Sequence, residues 1–260
     1  MSAVLLEITD GIGRITLNRP EQGNAIDMAL ATDLEAAARA CASEESVRAV
    51  VLAAAGRMFC VGGDIGAFAD AGDRTGAFLS ELAGKLHEAV LHLSAMDKPL
   101  IGLVQGPAAG AGLSLAMLGD IVLASEASHF TAAYTAIGLT PDGGMSWLLP
   151  RVAGMRVAQE LILTNRRVLA AEAANVGIVT RVVAAEDLAA EGEKLAQTLA
   201  AAPVRALGSV RRLLRDGQLR DLAGQLDAET AAISAAGDGA EGREGIGAFL
   251  ARRKPDFRAI

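Results

Sequence analysis

Aromatic residues are scarce in this chain: six Phe, one Tyr and one Trp make up 3% of its 260 residues. Its core must therefore be filled by Ala, Val, Leu and Ile. Cysteine is nearly as rare. Cys41 and Cys60 allow one disulfide at most, which excludes a disulfide scaffold and a Cys-rich zinc site. The three histidines, His87, His92 and His129, show no metal-ligand spacing, so no metal is expected. Positive charge is short as well, with 24 Lys and Arg against 31 Asp and Glu and a net charge of −7. That excludes the broad basic field a general nucleic-acid binder needs, but not a local basic pocket for a small phosphorylated ligand. No apolar run approaches the roughly 20 residues of a membrane span. Residues 99–118 come closest, and glycines, Gln105 and Pro107 interrupt them. The N-terminal residues lack the basic region and apolar core of a signal peptide, so a cytoplasmic protein is expected.

What is present is 52% hydrophobic, enough for a sizeable core in one domain or a domain with an appendage. Asp10-Gly11 between apolar runs at 4–9 and 12–17 predicts a hairpin. Residues 27–42 predict a helix with Leu30, Leu34, Ala37, Ala38 and Cys41 on one face. Thr75–Ala95 predicts another, striped by Phe78, Leu82, Leu86, Val90 and Leu93. Strands are expected at 47–55, 100–104, 120–124 and 176–183, with a helix at 110–118. Strands alternating with helices mark an α/β fold with parallel pairing. From residue 185 onward the pattern is helical, at 185–202, 203–216, 218–236 and 242–253, with Pro203 and Gly217 as punctuation.

Two loops concentrate the chemistry. Phe59-Cys60-Val61-Gly62-Gly63-Asp64 and Gly106-Pro107-Ala108-Ala109-Gly110-Ala111-Gly112 each follow an apolar strand-like run and lead into a helix-like run. Small residues let a ligand approach bare backbone. Two such loops can aim two N–H groups at one oxygen, which is an oxyanion hole. Taken singly, each is also an ordinary strand-to-helix turn.

Together these motifs resemble the crotonase (enoyl-CoA hydratase/isomerase) superfamily, from Ile15-Thr16-Leu17-Asn18-Arg19-Pro20 to Phe249–Phe257. The resemblance implies a spiral of ββα units over residues 1–200, which carries the active site. It implies a helical trimerisation region over 201–260, with trimers often paired into hexamers. It implies an acyl-CoA substrate and no separate cofactor. It places the oxyanion donors at Gly63 and Ala111, and Asp64 beside them reads as a brace for the loop.

Hydratases of this family use two glutamates, and the matching positions here are Ser114 and Tyr134. Neither can act as a carboxylate, so both become residues of the pocket wall. One acid remains, Asp142 in Thr140-Pro141-Asp142-Gly143-Gly144. The run Pro141–Arg151 is similar to the segment that carries the catalytic aspartate of phenylacetate-degradation isomerases, and it also places Trp147 near the pocket. The residues alone are equally a Pro-Asp-Gly turn. The resemblance implies isomerisation of a double bond or ring, with Asp142 moving one proton. A hydratase and a non-catalytic CoA- or RNA-binding member of the fold are the alternatives.

Other signals lead nowhere. Gly112-Leu113-Ser114-Leu115-Ala116 lacks the final Gly of a nucleophile elbow, and no His follows residue 129. Gly237–Gly242 fits the dinucleotide pattern in letters, but it follows a helix and carries Asp238 and Glu241 where phosphates would sit. His87 and His92 read as bystanders on a helix. Arg252, Arg253 and Lys254 are the candidates for CoA phosphates, and equally a solvated basic tail.

Overall fold

A computed structural model describes residues 2–260. The chain opens with the expected hairpin. β1 (Val4–Thr9) runs antiparallel to β2 (Ile12–Leu17), and φ is positive at both Asp10 and Gly11, as a tight two-residue turn requires. α1 (Met28–Ser43) is started by Asp27, whose carboxylate accepts from Leu30 N at 2.8 Å. β3 (Ala49–Ala54) pairs parallel with β2.

After β3 come α2 (Ile65–Asp70) and α3 (Thr75–Ala95), then β4 (Leu100–Val104), the two-residue β5 (Ala108–Ala109) and α4 (Ala111–Ala116). The next turn of chain is β6 (Ile121–Ser125), β7 (His129–Thr131), α5 (Met145–Ala153) and α6 (Met155–Thr164). β8 (Val168–Leu169), α7 (Ala170–Asn175) and β9 (Arg181–Val183) follow. The large sheet has the order β1-β2-β3-β4-β6-β9, parallel throughout except for β1. A small sheet, β5-β7-β8, lies beside it, and a bridge between Cys60 and Ala108 extends its line. Each turn of the chain thus gives one strand to the large sheet and a short one to the second, which is the ββα spiral.

The core lies on both faces of the large sheet. Ile15, Leu17, Val50 and Leu52 face Leu30, Leu34, Leu86 and Leu93 of α1 and α3. Ile12, Ala49, Val51 and Ile101 face Ala196 and Ala200 of α8 (Leu188–Ala200). Aliphatic layers of this kind accept the shortage of rings. The strand expected at 176–183 is confined to its last three residues, because Val176 still closes α7. The helices α5 and α6 carry no strong sequence signal, since Pro150 and Gly154 interrupt their apolar periodicity.

The chain ends in α9 (Val204–Gly217), α10 (Leu222–Asp238) and α11 (Ala240–Leu250). α9 is fastened to the end of α3: Arg211 bonds the carbonyls of Leu93 and Met96 and pairs with Asp120. α10 buries none of its residues in this chain, and Gly237–Gly242 is only the junction between α10 and α11. No helix among the described residues is long and apolar enough to cross a membrane.

Candidate active site

The two small-residue loops are pressed together. The N–H groups of Phe59 and Cys60 both donate to Pro107 O, at 3.1 and 3.2 Å, and Ala109 N returns a bond to Cys60 O at 2.9 Å. Ile26 N donates to Gly62 O and Asp64 N to Ile26 O, which fixes the residues on either side of Gly63. Gly63 N–H and Ala111 N–H, in contrast, make no hydrogen bond among the described residues. Ala111 opens α4, where a free N–H is intrinsic to the helix start and the helix dipole adds positive potential. Both groups line one cavity of about 360 Å³. The two loops leave little room for side chains, and at Gly112 the clash would be with backbone. A Cβ on Gly63 would run into Phe68 Cζ, and one on Gly112 would run into the carbonyl of Cys60.

Asp142 lies across that cavity and is the only carboxylate among the described residues lining it. The Tyr134 hydroxyl donates to its Oδ1 at 2.5 Å. Ser114 Oγ, fully buried, donates to its carbonyl oxygen at 3.0 Å. The next N–H, that of Gly143, donates to His87 Nε2 at 3.1 Å. Burial pushes the Tyr134 hydroxyl well above the ordinary phenol range, and the negative charge of Asp142 adds to the effect. Tyr134 therefore stays neutral and acts as a donor. Most of the remaining wall is apolar, including Val61, Ile65, Phe68, Leu79, Leu82 and Ile137.

The chain from residue 7 to residue 259 matches the family model described as enoyl-CoA hydratase/isomerase. It belongs to this family, the crotonase superfamily. The 1,2-epoxyphenylacetyl-CoA isomerase of Escherichia coli K12 is 36% identical, across 99% of this chain and 98% of that one. A Rhodobacter capsulatus protein named a probable enoyl-CoA hydratase is 37% identical, across 96% of both. The crystal structure of an enoyl-CoA hydratase from Polaromonas sp. JS666 superposes with a TM-score of 0.93 at 30% identity, covering 97% of this chain and 98% of that one.

Within this crotonase fold, the anticipated site residues are distributed unevenly. Gly63, Ala111, Tyr134 and Asp142 meet at the cavity. Ser114 does not line it; it stands behind Asp142, holding that residue's main chain. Trp147 does not line it either. On α5, Met145 and Leu149 are one turn apart and point to the core, and position 147 falls on the far side of the helix. Its ring is 41% exposed and lies under the Arg151 guanidinium, 4.0 Å from the centroid. Arg253, expected at phosphates, is held by Glu244 with bonds of 2.6 and 2.8 Å.

Asp64 is a brace. It caps α2 by accepting from Ala67 N at 3.3 Å and pairs with Arg19 at 3.4 Å. Arg19 also pairs with Asp27. The buried Asn24 amide bonds the carbonyls of Ala55 and Met58 at 2.9 Å. Arg19 and Asn24 are supports that motif reading passed over, although Arg19 lies inside the family-like stretch at 15–20. His87 was also passed over: its spacing from His92 carries no signal for a contact with a turn 56 residues away. Cys60 sits beside the oxyanion loop but is no nucleophile, because burial raises its thiol to about 12.

Proposed function

We propose that this crotonase-superfamily enzyme isomerises an acyl-CoA thioester, moving a double bond or opening a strained ring through an enolate-like state. The observation that carries this reading is one carboxylate residue, Asp142, lining the same cavity as the two unpaired amide donors of Gly63 and Ala111. For a 3-enoyl thioester, ionised Asp142 removes a proton from C2. The negative charge spreads to the thioester oxygen, where the two N–H groups meet it. The protonated Asp142 then returns the proton at C4, giving the 2-enoyl product and the original carboxylate. One group suffices because one proton is moved. The donors are fixed before charge develops, so they favour the transition state over the bound substrate.

Hydration needs water activated on one side and carbon protonated on the other. Ser114 and Tyr134, at the matching glutamate positions, supply no second carboxylate. Relatives named isomerase and hydratase match at near-equal identity, 36% and 37%, so the isomerase reading rests on the missing carboxylates and not on identity. The apolar wall, with no Lys or Arg among the described lining residues, favours an uncharged acyl group. The reaction as written draws on no metal or redox cofactor. For the assembly we propose a trimer, or two trimers as a hexamer, built through residues 201–260.

The test is incubation with straight-chain 3-enoyl-CoA, 2-enoyl-CoA and aromatic-ring epoxide CoA thioesters, followed by mass and absorbance, with and without chelator. Isomerisation well above hydration, unchanged by chelator, is expected. Efficient hydration of crotonyl-CoA would overturn the reading.

A further inference from the structure

The carboxyl of Asp142 is not symmetric in its surroundings. Oδ1 accepts from Tyr134 at 2.5 Å, while Oδ2 makes no hydrogen bond among the described residues. The ring that delivers this bond is wedged between the two halves of the site. Tyr134 Cζ lies 3.9 Å from where a Cβ on Gly110 would stand, next to the oxyanion donor Ala111, and its hydroxyl reaches over to Asp142. It is the only tyrosine of the chain. The main chain on either side of the carboxyl is tied separately, by Ser114 to the carbonyl and by His87 to the following N–H. The Tyr134 hydroxyl lies 3.4 Å from that carbonyl as well, but its short bond is to Oδ1, and what Tyr134 adds beyond the two main-chain ties is control of the carboxyl plane.

We infer that Tyr134 is a positioning residue that holds Asp142 by Oδ1, so that Oδ2 is the atom that takes and returns the proton. The inference rests on the isomerase reading of this site. Its chemistry is that of a neutral hydroxyl donating to a carboxylate. The bond satisfies one oxygen of the carboxylate, the form that abstracts a proton, within a largely apolar wall. It also removes rotation about the last side-chain bond of Asp142, so the free oxygen stays aimed at the cavity. When Oδ2 is protonated, Tyr134 continues to donate to Oδ1, now a carbonyl oxygen. The orientation thus persists between the two proton transfers.

The experiment compares wild type with Tyr134→Phe, which keeps the ring and deletes the donor, after circular dichroism shows both folded alike. The Asp142 carboxyl is followed directly, by carbon-13 NMR of aspartate-labelled protein with Asp142→Asn to assign the signal. In Tyr134→Phe the carboxyl signal is expected to shift, because one carboxylate oxygen loses its donor. The value of kcat should fall about tenfold, below the roughly 100-fold of losing a general base outright, while KM changes less than twofold. A Ser114→Ala variant, which keeps the Tyr134–Oδ1 pair, should move that signal less. An unmoved signal in Tyr134→Phe, an equal shift in Ser114→Ala, or full kcat in Tyr134→Phe overturns the inference. If wild type isomerises nothing but the signal still shifts, the isomerase reading fails and the hold of Tyr134 on Asp142 stands.

Discussion

In the proposed reaction Asp142 and Gly63 work by opposite means: one supplies a proton acceptor, the other supplies only backbone. Asp142→Asn keeps size and removes the base, so isomerisation should fall at least about 100-fold, read as kcat on a verified substrate. Ser114→Ala should cost much less, because Ser114 meets the carbonyl of Asp142 and the Tyr134 hydroxyl but not the carboxyl itself. Gly63→Ala keeps the N–H but pushes a methyl into the Phe68 ring, which packs edge-on against Phe78 at 6.2 Å. The ring or the loop must shift, and the donor shifts with it. Loss of one oxyanion donor costs about 10²–10³ in kcat, and Gly63→Ala should approach the lower figure with the fold intact by circular dichroism.

At the scale of elements, whole segments meet with no side chain between them. The loop before α2 and the start of α4 touch through backbone where Gly112 meets Cys60 O. A flexible ring can yield, as at Gly63, but a carbonyl tied into two crossing loops cannot. Gly112→Ala should therefore lower stability by about 1–3 kcal/mol, the cost of overpacking, seen as a lower denaturant midpoint.

The last helix offers a pH test. Glu244 of α11 accepts from Arg253 and from Asp256 N, and these bonds, Arg253 foremost, hold its carboxyl down at about 2 against an ordinary 4.5. A depressed carboxylate stabilises the folded form above its unfolded value and loses that contribution as pH falls through the folded one. The segment 251–258 should accordingly loosen as pH drops from about 4.5 toward 2. Hydrogen exchange should show this in wild type. Glu244→Gln should be loosened already at pH 6.

For the whole molecule, the decisive feature is uncovered apolar surface on the last two helices. Leu222 and Ile233 on α10 are 74% and 73% exposed, and Phe249 on α11 is 82% exposed. A lone chain gains nothing from such a surface, whereas a second copy would bury it. Light scattering at micromolar concentration should give a trimer or hexamer. Phe249→Glu should shift the population toward smaller species while leaving the far-UV spectrum of the spiral body unchanged. A stable wild-type monomer would refute the assembly.

Periodicity and punctuation by themselves determined the hairpin at Asp10-Gly11, α1, α3 and the strands expected at 100–104 and 120–124, the second observed one residue later at 121–125, because each is a local pattern with one buried face. The family resemblance, and not the local strings, marked Asp142 and paired the two small-residue loops, since each of these strings alone reads as an ordinary turn. Reading from the sequence failed where the cause is distant. Trp147 was assigned to the pocket by its closeness in sequence to Asp142, but helical geometry turns it outward. His87 was dismissed because its partner, Gly143, is brought to it only by packing of α3 against the 140–144 turn. Tyr134 and Ser114 were legible as departures from a two-carboxylate pattern. That both hold Asp142, Tyr134 chiefly by its carboxyl and Ser114 by its carbonyl, follows from the packing of α4 and of the segment after β7 against that turn. Tertiary structure alone decided which amide groups are left without partners, because satisfaction of a hydrogen bond is a property of neighbours in space and not of neighbours in sequence.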